Sequence, residues 1–192
     1  MAQRDLRVLG VDPGSRTTGW GVVARVEGKL VAAASGVIRT QPDQPMPQRL
    51  LVIYAALSAV VREHAPENAA MEEIFVHKSA ASALVLGQAR GVALLSLASL
   101  PLHTYNASTI KKTVSGSGKA DKAQVARMVR TLLGLQGEVP ADETDALAIA
   151  LTHHAHTGLA GAQRTALPVR KERRMSARDQ WSAIAARAGV RP

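Results

Sequence analysis

The run Leu6-Arg7-Val8-Leu9-Gly10-Val11-Asp12-Pro13-Gly14-Ser15-Arg16-Thr17-Thr18-Gly19-Trp20-Gly21-Val22-Val23-Ala24-Arg25-Val26 decides the fold. Leu6–Val11 is a short apolar stretch that ends in a carboxylate and a Pro-Gly turn, the pattern of a buried strand. Thr18–Val26 and Leu30–Ile38 read as two further strands, joined hairpin fashion at Glu27-Gly28. Downstream, Leu50–His64 carries apolar residues at helical spacing. Asn68–Phe75 reads as a strand, Ser79–Leu100 as a long helix apolar on most sides, and Leu102–Tyr105 as a strand. Ser108–Val114, Asp121–Leu133 and Ala141–His156 read as helices, and Ser115-Gly116-Ser117-Gly118 as a flexible loop. Three strands joined by tight turns, followed by alternating helices and strands, give an α/β fold: a mixed five-stranded sheet with helices on both faces. The periodicity fades beyond about residue 158, so residues 1–158 are expected to form one domain and 159–192 a mobile basic tail.

Four acids stand where the pattern calls for core. Asp12 ends Val8–Val11, Glu72 ends Ala69-Ala70-Met71, and Asp142 and Asp145 precede Ala146–Ala150. A buried carboxylate is strongly disfavoured unless it is paired or bound to metal. With no equally placed base beside them in the sequence, the four suggest an oxygen-lined site for Mg²⁺ or Mn²⁺. In the mixed sheet Asp12 and Glu72 fall at neighbouring strand positions near the centre, and the helix beginning near Asp142 brings its acids over the same point. Simpler roles compete. Asp-Pro-Gly also makes a good turn, and Pro140, Asp142 and Glu143 suit a helix N-terminus. Glu72 and Glu73 are adjacent and face opposite sides of a strand, so one of them joins Asp12; spacing alone leaves open which.

Composition narrows the partners. The 192 residues hold 24 Lys and Arg against 15 Asp and Glu, a net charge of +9, and six of those positive charges belong to residues 161–192. A chain this basic favours an anionic partner, nucleic acid before membrane, and the tail lacks the apolar face of a membrane-surface helix. The longest apolar stretch, Gly91–Leu102, is too short to span a bilayer. The absence of cysteine excludes disulfides, zinc-thiolate sites and cysteine nucleophiles, and fits a reducing cytoplasm. No signal-peptide pattern opens the chain.

Lys111, Lys112, Lys119 and Lys122 flank the Ser/Gly loop, where point charges suit a phosphate backbone or simply a solvated face. Ser117-Gly118-Lys119 lacks the spacing of a nucleotide-binding P-loop. His153, His154 and His156 do not put more than two rings on one helix face, and read as the histidines a helix C-terminus welcomes.

Taken together, these residues resemble the RuvC family of bacterial Holliday-junction resolvases over about residues 6–157. The specific parts are Gly10-Val11-Asp12-Pro13-Gly14-Ser15 with Thr18-Gly19-Trp20-Gly21; Glu72 with Phe75; Ser82-Ala83-Leu84 with Leu86-Gly87-Gln88-Ala89-Arg90-Gly91; Lys111 with Val114 and Gly118; and Asp142 with Asp145–Ala150. The resemblance implies an RNase H-like fold, a homodimer, and a nuclease using two Mg²⁺ ions per active site, with Mn²⁺ an alternative. By position, Asp12, Glu72, Asp142 and Asp145 match the family's catalytic, metal-holding acids, which favours Glu72 over Glu73. Phe75 matches an aromatic set against bases at the junction centre, and Lys111 and Lys122 match lysines on the DNA path. Lys78, Lys112 and Lys119 join them as expected DNA contacts. Ser79 departs from the Asn that many members carry there. The resemblance further implies a four-way DNA junction as substrate, paired nicks that leave 5′-phosphate and 3′-hydroxyl ends, and the RuvA–RuvB branch-migration complex as partner. The same acids would serve another RNase H-like nuclease. An actin-like nucleotide-binding domain needs a second phosphate loop and a longer chain, and a purely structural DNA-binding protein has no use for four such acids.

Overall fold

The computed structural model describes residues 6–73 and 80–163, with side chains as far as residue 157. Strands β1 (Arg7–Asp12), β2 (Thr17–Val26) and β3 (Lys29–Arg39) form a meander. Glu27 and Gly28 take positive φ in the β2–β3 turn, the backbone that a tight two-residue hairpin demands. Helix α1 (Met46–His64) follows, then β4 (Asn68–Glu72), α2 (Ala80–Ser96), β5 (Leu102–Tyr105), α3 (Ala107–Ser115), α4 (Lys122–Leu133) and α5 (Ala141–Gln163). The sheet has five strands in the order β3-β2-β1-β4-β5. β1 is antiparallel to β2 and parallel to β4, which is parallel to β5. The expected mixed α/β sheet is therefore the observed one.

Strand alternation divides the core into two layers. Leu9, Val11, Ala69 and Met71 face one way and pack with Ile53 and Leu57 of α1 and Ala89 and Ala93 of α2. Val8 and Ala70 face the other way, with Ile110 of α3, Val125 and Val129 of α4 and Leu147 of α5. Helix α5 lies against bare backbone. A Cβ at Gly10 would overlap the carbonyl oxygen of Ala146, and one at Gly19 would overlap that of Asp142. Glycine at these two positions lets the helix backbone touch β1 and β2. The starts of α3 and α4 are defined by side chains: Asn106 accepts from Thr109 N–H at 2.8 Å, and Asp121 accepts from Gln124 N–H at 2.7 Å.

Two helix ends differ from expectation. α2 stops at Ser96, and turns carry the chain to Pro101, which disfavours helix at the residue before it. α5 runs past His156 to Gln163. No proline interrupts that stretch, and Thr152 and Thr157 bond back to the carbonyls of Ala148 and His153. β4 ends at Glu72, with Glu73 just past it; residues 74–79, which include Phe75 of the expected strand and then Lys78 and Ser79, lie outside the described residues.

Candidate active site

Asp12 and Glu72 end the two parallel strands at the middle of the sheet. Val11 pairs with Met71, so the two acids stand side by side one step further on. Both have the parity of Gly10 and Ala70, which places them on the α5 face. Because α5 rests on Gly10 and Gly19, its first turns come down over the same strand ends. A cleft of about 340 Å³ opens there, lined among others by Asp12, Glu72, Lys111, Lys122 and Asp145. Asp142 does not line it, but its charge is felt at Asp12. The neighbouring Glu143 turns to β3, where Ser35 donates to its carboxylate. Glu73 is exposed and accepts from Thr104 at 3.4 Å, so the strand geometry, like the resemblance, separates it from Glu72.

The charges in the cleft interact strongly. Burial, then the charges of Asp145, Glu72 and Asp142, push the Asp12 carboxyl up to about 7, with Lys122 opposing. Glu72 is raised by burial and Asp145, against the pull of Lys122, Lys111 and Arg90. A site whose central carboxylate resists ionisation is short of positive charge. An all-carboxylate donor set of this kind suits a hard divalent cation. Among the described residues no three His, Cys, Asp or Glu side chains stand grouped as a finished ligand set; the acids converge as a negative field rather than as a closed cage.

The acids do have a base beside them, contrary to the sequence expectation. Lys122 Nζ donates to Asp145 Oδ2 at 3.1 Å. The pair spans α4 and α5, so linear spacing could not reveal it.

Several supporting residues carried no sequence signal. The turn after Asp12 is tied down by Thr18, fully buried, whose hydroxyl donates to Gly14 C=O at 2.8 Å. Thr40 Oγ1 donates to Ser15 C=O at 2.6 Å, and the buried Arg49 donates to that carbonyl and to Thr40. Arg90 donates to the main-chain carbonyl of Glu72, which holds the strand end rather than the carboxylate.

The expected DNA contacts divide. Lys111 and Lys122 line the cleft, whereas Lys112 and Lys119 are exposed and do not. Phe75 and Lys78 fall outside the described residues. The histidines are not helix-terminal, because α5 continues beyond them. His153 and His154 are buried; His154 bonds the Val23 carbonyl at 2.9 Å, and His153 pairs with the Tyr105 hydroxyl at 2.9 Å.

A mixed five-stranded sheet whose central strands end in carboxylates beneath a helix is the architecture of an RNase H-like nuclease. More narrowly, the chain belongs to the RuvC family of crossover junction endodeoxyribonucleases, whose family model matches residues 8–153. The RuvC of Enterobacter sp. (strain 638) is 50% identical over 148 residues, 76% of this chain and 85% of that protein. The RuvC of Klebsiella pneumoniae (strain 342) is 46% identical over 169 residues, 86% of this chain and 97% of that protein. Thermus thermophilus RuvC, solved in complex with a Holliday junction substrate, superposes with a TM-score of 0.75 at 35% identity, covering 81% of this chain and 96% of that one. The yeast mitochondrial Holliday junction resolvase, at 14% identity and a TM-score of 0.54 over 82% of this chain and 85% of that one, shares the fold.

Proposed function

We propose that this chain, a metal-dependent endodeoxyribonuclease that resolves Holliday junctions by virtue of its family, cuts through the carboxylate cleft between β1, β4 and α5. The observation that carries this reading is Asp12: a largely buried carboxyl beside Glu72 in the cleft, which burial first, and then the charges of Asp145, Glu72 and Asp142, raise to about 7. That arrangement costs stability unless a cation is to be bound. In this reading Asp12 would serve both ions, Glu72 would hold one, and Asp145 would hold the other with Asp142 in support. Mg²⁺ fits the hard oxygen donors, and Mn²⁺ fits them too. When bound, such ions acidify a water and neutralise the charge that develops on the leaving 3′ oxygen.

The chain's own residues do the rest. The Gly14–Thr18 turn, locked by Thr40 and Arg49, holds Asp12 at the strand end, and Arg90 fixes the Glu72 backbone. Lys111 and Lys122 place positive charge at the cleft wall, where a phosphate backbone would lie. Phe75, by resemblance, stacks on unpaired bases at the crossover, with Lys78, Lys112 and Lys119 contacting phosphates beyond the cleft. The products are a 5′-phosphate and a 3′-hydroxyl, ends that a ligase can seal.

A homodimer would set two such clefts on opposite strands of the junction. Support for it lies on the α1 and α2 layer, where Leu51 is 64%, Leu84 66% and Leu95 65% exposed. Leucines this exposed on one layer of helices support such an interface. No helix among the described residues is long and apolar enough to cross a membrane. A cytoplasmic enzyme working after the RuvA–RuvB branch-migration complex, with residues 159–192 as a basic tail beyond the nuclease domain of 1–158, completes the reading. The test is cleavage of a synthetic four-way junction against a linear duplex of the same sequence, each with and without Mg²⁺. Metal-dependent nicks at symmetric positions in opposite strands are expected; equal cutting of the duplex, or cutting in chelator, would overturn the reading.

A further inference from the structure

Lys122 opens α4, and its two ends meet very different surroundings. Its side chain is 82% exposed, yet the ammonium is seated on Asp145 Oδ2 at 3.1 Å, and that carboxylate is only 29% exposed. Among the described residues this is the only ion pair between a lysine or arginine and a carboxylate. The lysine charge also acts on Asp12 and Glu72. Lys111 lines the same cleft and acts on Glu72 through its charge, without a hydrogen bond to a carboxylate. Lys122 therefore stands where the cluster lacks positive charge, on the acid that the proposed function assigns to one of the ions. A side chain with a solvated stem and a single anchored atom is tethered lightly, since an exposed ion pair contributes at most about 1 kcal/mol.

We propose that Lys122 is the built-in counter-cation of the acid cluster: it occupies Asp145 in the metal-free protein and is displaced from it when a divalent ion enters. The inference rests on the reading that the four acids hold metal. It makes Lys122 a competitor of the ion before it is a contact for DNA. Displacement releases the ammonium at the cleft wall, so metal loading and phosphate binding reinforce one another. The competition has a direction that a role in DNA binding alone does not produce: removing the lysine tightens metal binding when no DNA is present.

The experiment titrates the full chain, stripped of metal and free of DNA, with Mn²⁺, and follows the loss of the free-ion resonance by electron paramagnetic resonance. Lys122→Met is expected to bind Mn²⁺ about fivefold more tightly than the wild type, from the lost pair and the lost like-charge repulsion. Lys122→Arg keeps the charge and is expected to stay near the wild type, and Lys111→Met is expected to shift less than Lys122→Met. Asp145→Asn is the control for the site and is expected to weaken binding. Equal or weaker binding by a folded Lys122→Met, with wild-type binding still dependent on Asp145, overturns the counter-cation role and leaves the metal site standing. No Mn²⁺ binding by the wild type, or binding indifferent to Asp145→Asn, overturns the metal-site reading and this inference with it.

Discussion

Asp12→Asn should make the metal-free protein more stable at pH 8. The folded protein holds the Asp12 proton to about pH 7, against an ordinary value of 3.8, chiefly through burial and then through Asp145. Below pH 3.8 the group is neutral whether the chain is folded or not, and costs nothing. Between 3.8 and about 7 the unfolded chain gives up the proton while the folded chain keeps it, so stability falls as pH rises. Above 7 the full cost stands. A shift of about three units at about 1.36 kcal/mol each comes to about 4 kcal/mol. The asparagine amide is itself costly to bury, by about 1–2 kcal/mol, which leaves a net gain of about 2–3 kcal/mol. For a chain of this length that is about 5–10 °C in Tm. Thermal scans in chelator at pH 5 and pH 8 measure it: the variant should gain over the wild type at pH 8 and lose most of that gain at pH 5. Added Mg²⁺ should raise the wild type far more than the variant, since an ion that binds only the folded state stabilises it by mass action. A variant no more stable than the wild type at pH 8 in chelator would refute the reasoning.

Gly10→Ala drives a methyl into the Ala146 carbonyl; a cost of about 3 kcal/mol and a strong loss of cleavage are expected, read by urea unfolding and junction nicking. His153 titrates in the opposite sense to Asp12. Burial lowers it from 6.5 to about 4, so the unfolded chain binds the extra proton and stability is lost as pH falls through that window. His153→Gln should flatten the acid limb of the pH–Tm curve, leaving the smaller contribution of His154, which burial also lowers. Leu84→Asp should break the proposed homodimer, so that light scattering gives a mass near 20.2 kDa where the wild type is expected to give about twice that.

Much of the sheet was legible because turns punctuate it: Asp12-Pro13-Gly14 and Glu27-Gly28 mark strand ends by backbone chemistry that few other residues supply. Asp12 stood out as a charge against an apolar run. Glu72 and Glu73 were told apart in the sequence only by the family resemblance, since alternation sets them on opposite faces but the register of β4 on β1 decides which faces the Asp12 side. The Lys122–Asp145 pair lies across 23 residues and depends on where α4 packs against α5, which local periodicity does not encode. The full length of α5 was hidden for another reason. Its last turns are mostly Gly, Ala, Thr and His, with no apolar stripe to mark them, so the ordinary main-chain ladder continues where the apolar pattern had stopped. Arg49 and Thr40, which brace the Asp12 turn, were invisible because their partners are carbonyls, and every residue has one.

The central claim, that the four acids form the cutting centre and do not serve to grip DNA, is tested most directly by measuring binding and cleavage of one fixed four-way junction on the same variants. Binding is measured in Ca²⁺, and single-turnover nicking in Mg²⁺. Asp12→Asn, Glu72→Gln and Asp145→Asn should each lose cleavage by more than a thousandfold, in the range ascribed to electrostatic transition-state stabilisation (about 10²–10³ for a single donor) and beyond it for a lost metal ligand. Each should bind the junction as tightly as the wild type or more so, because a negative charge facing phosphates has been removed. Asp142→Asn should be milder, its charge serving the helix N-terminus as well. Near wild-type nicking by any of the first three at saturating Mg²⁺, or a loss of cleavage matched by an equal loss of binding, would contradict the account.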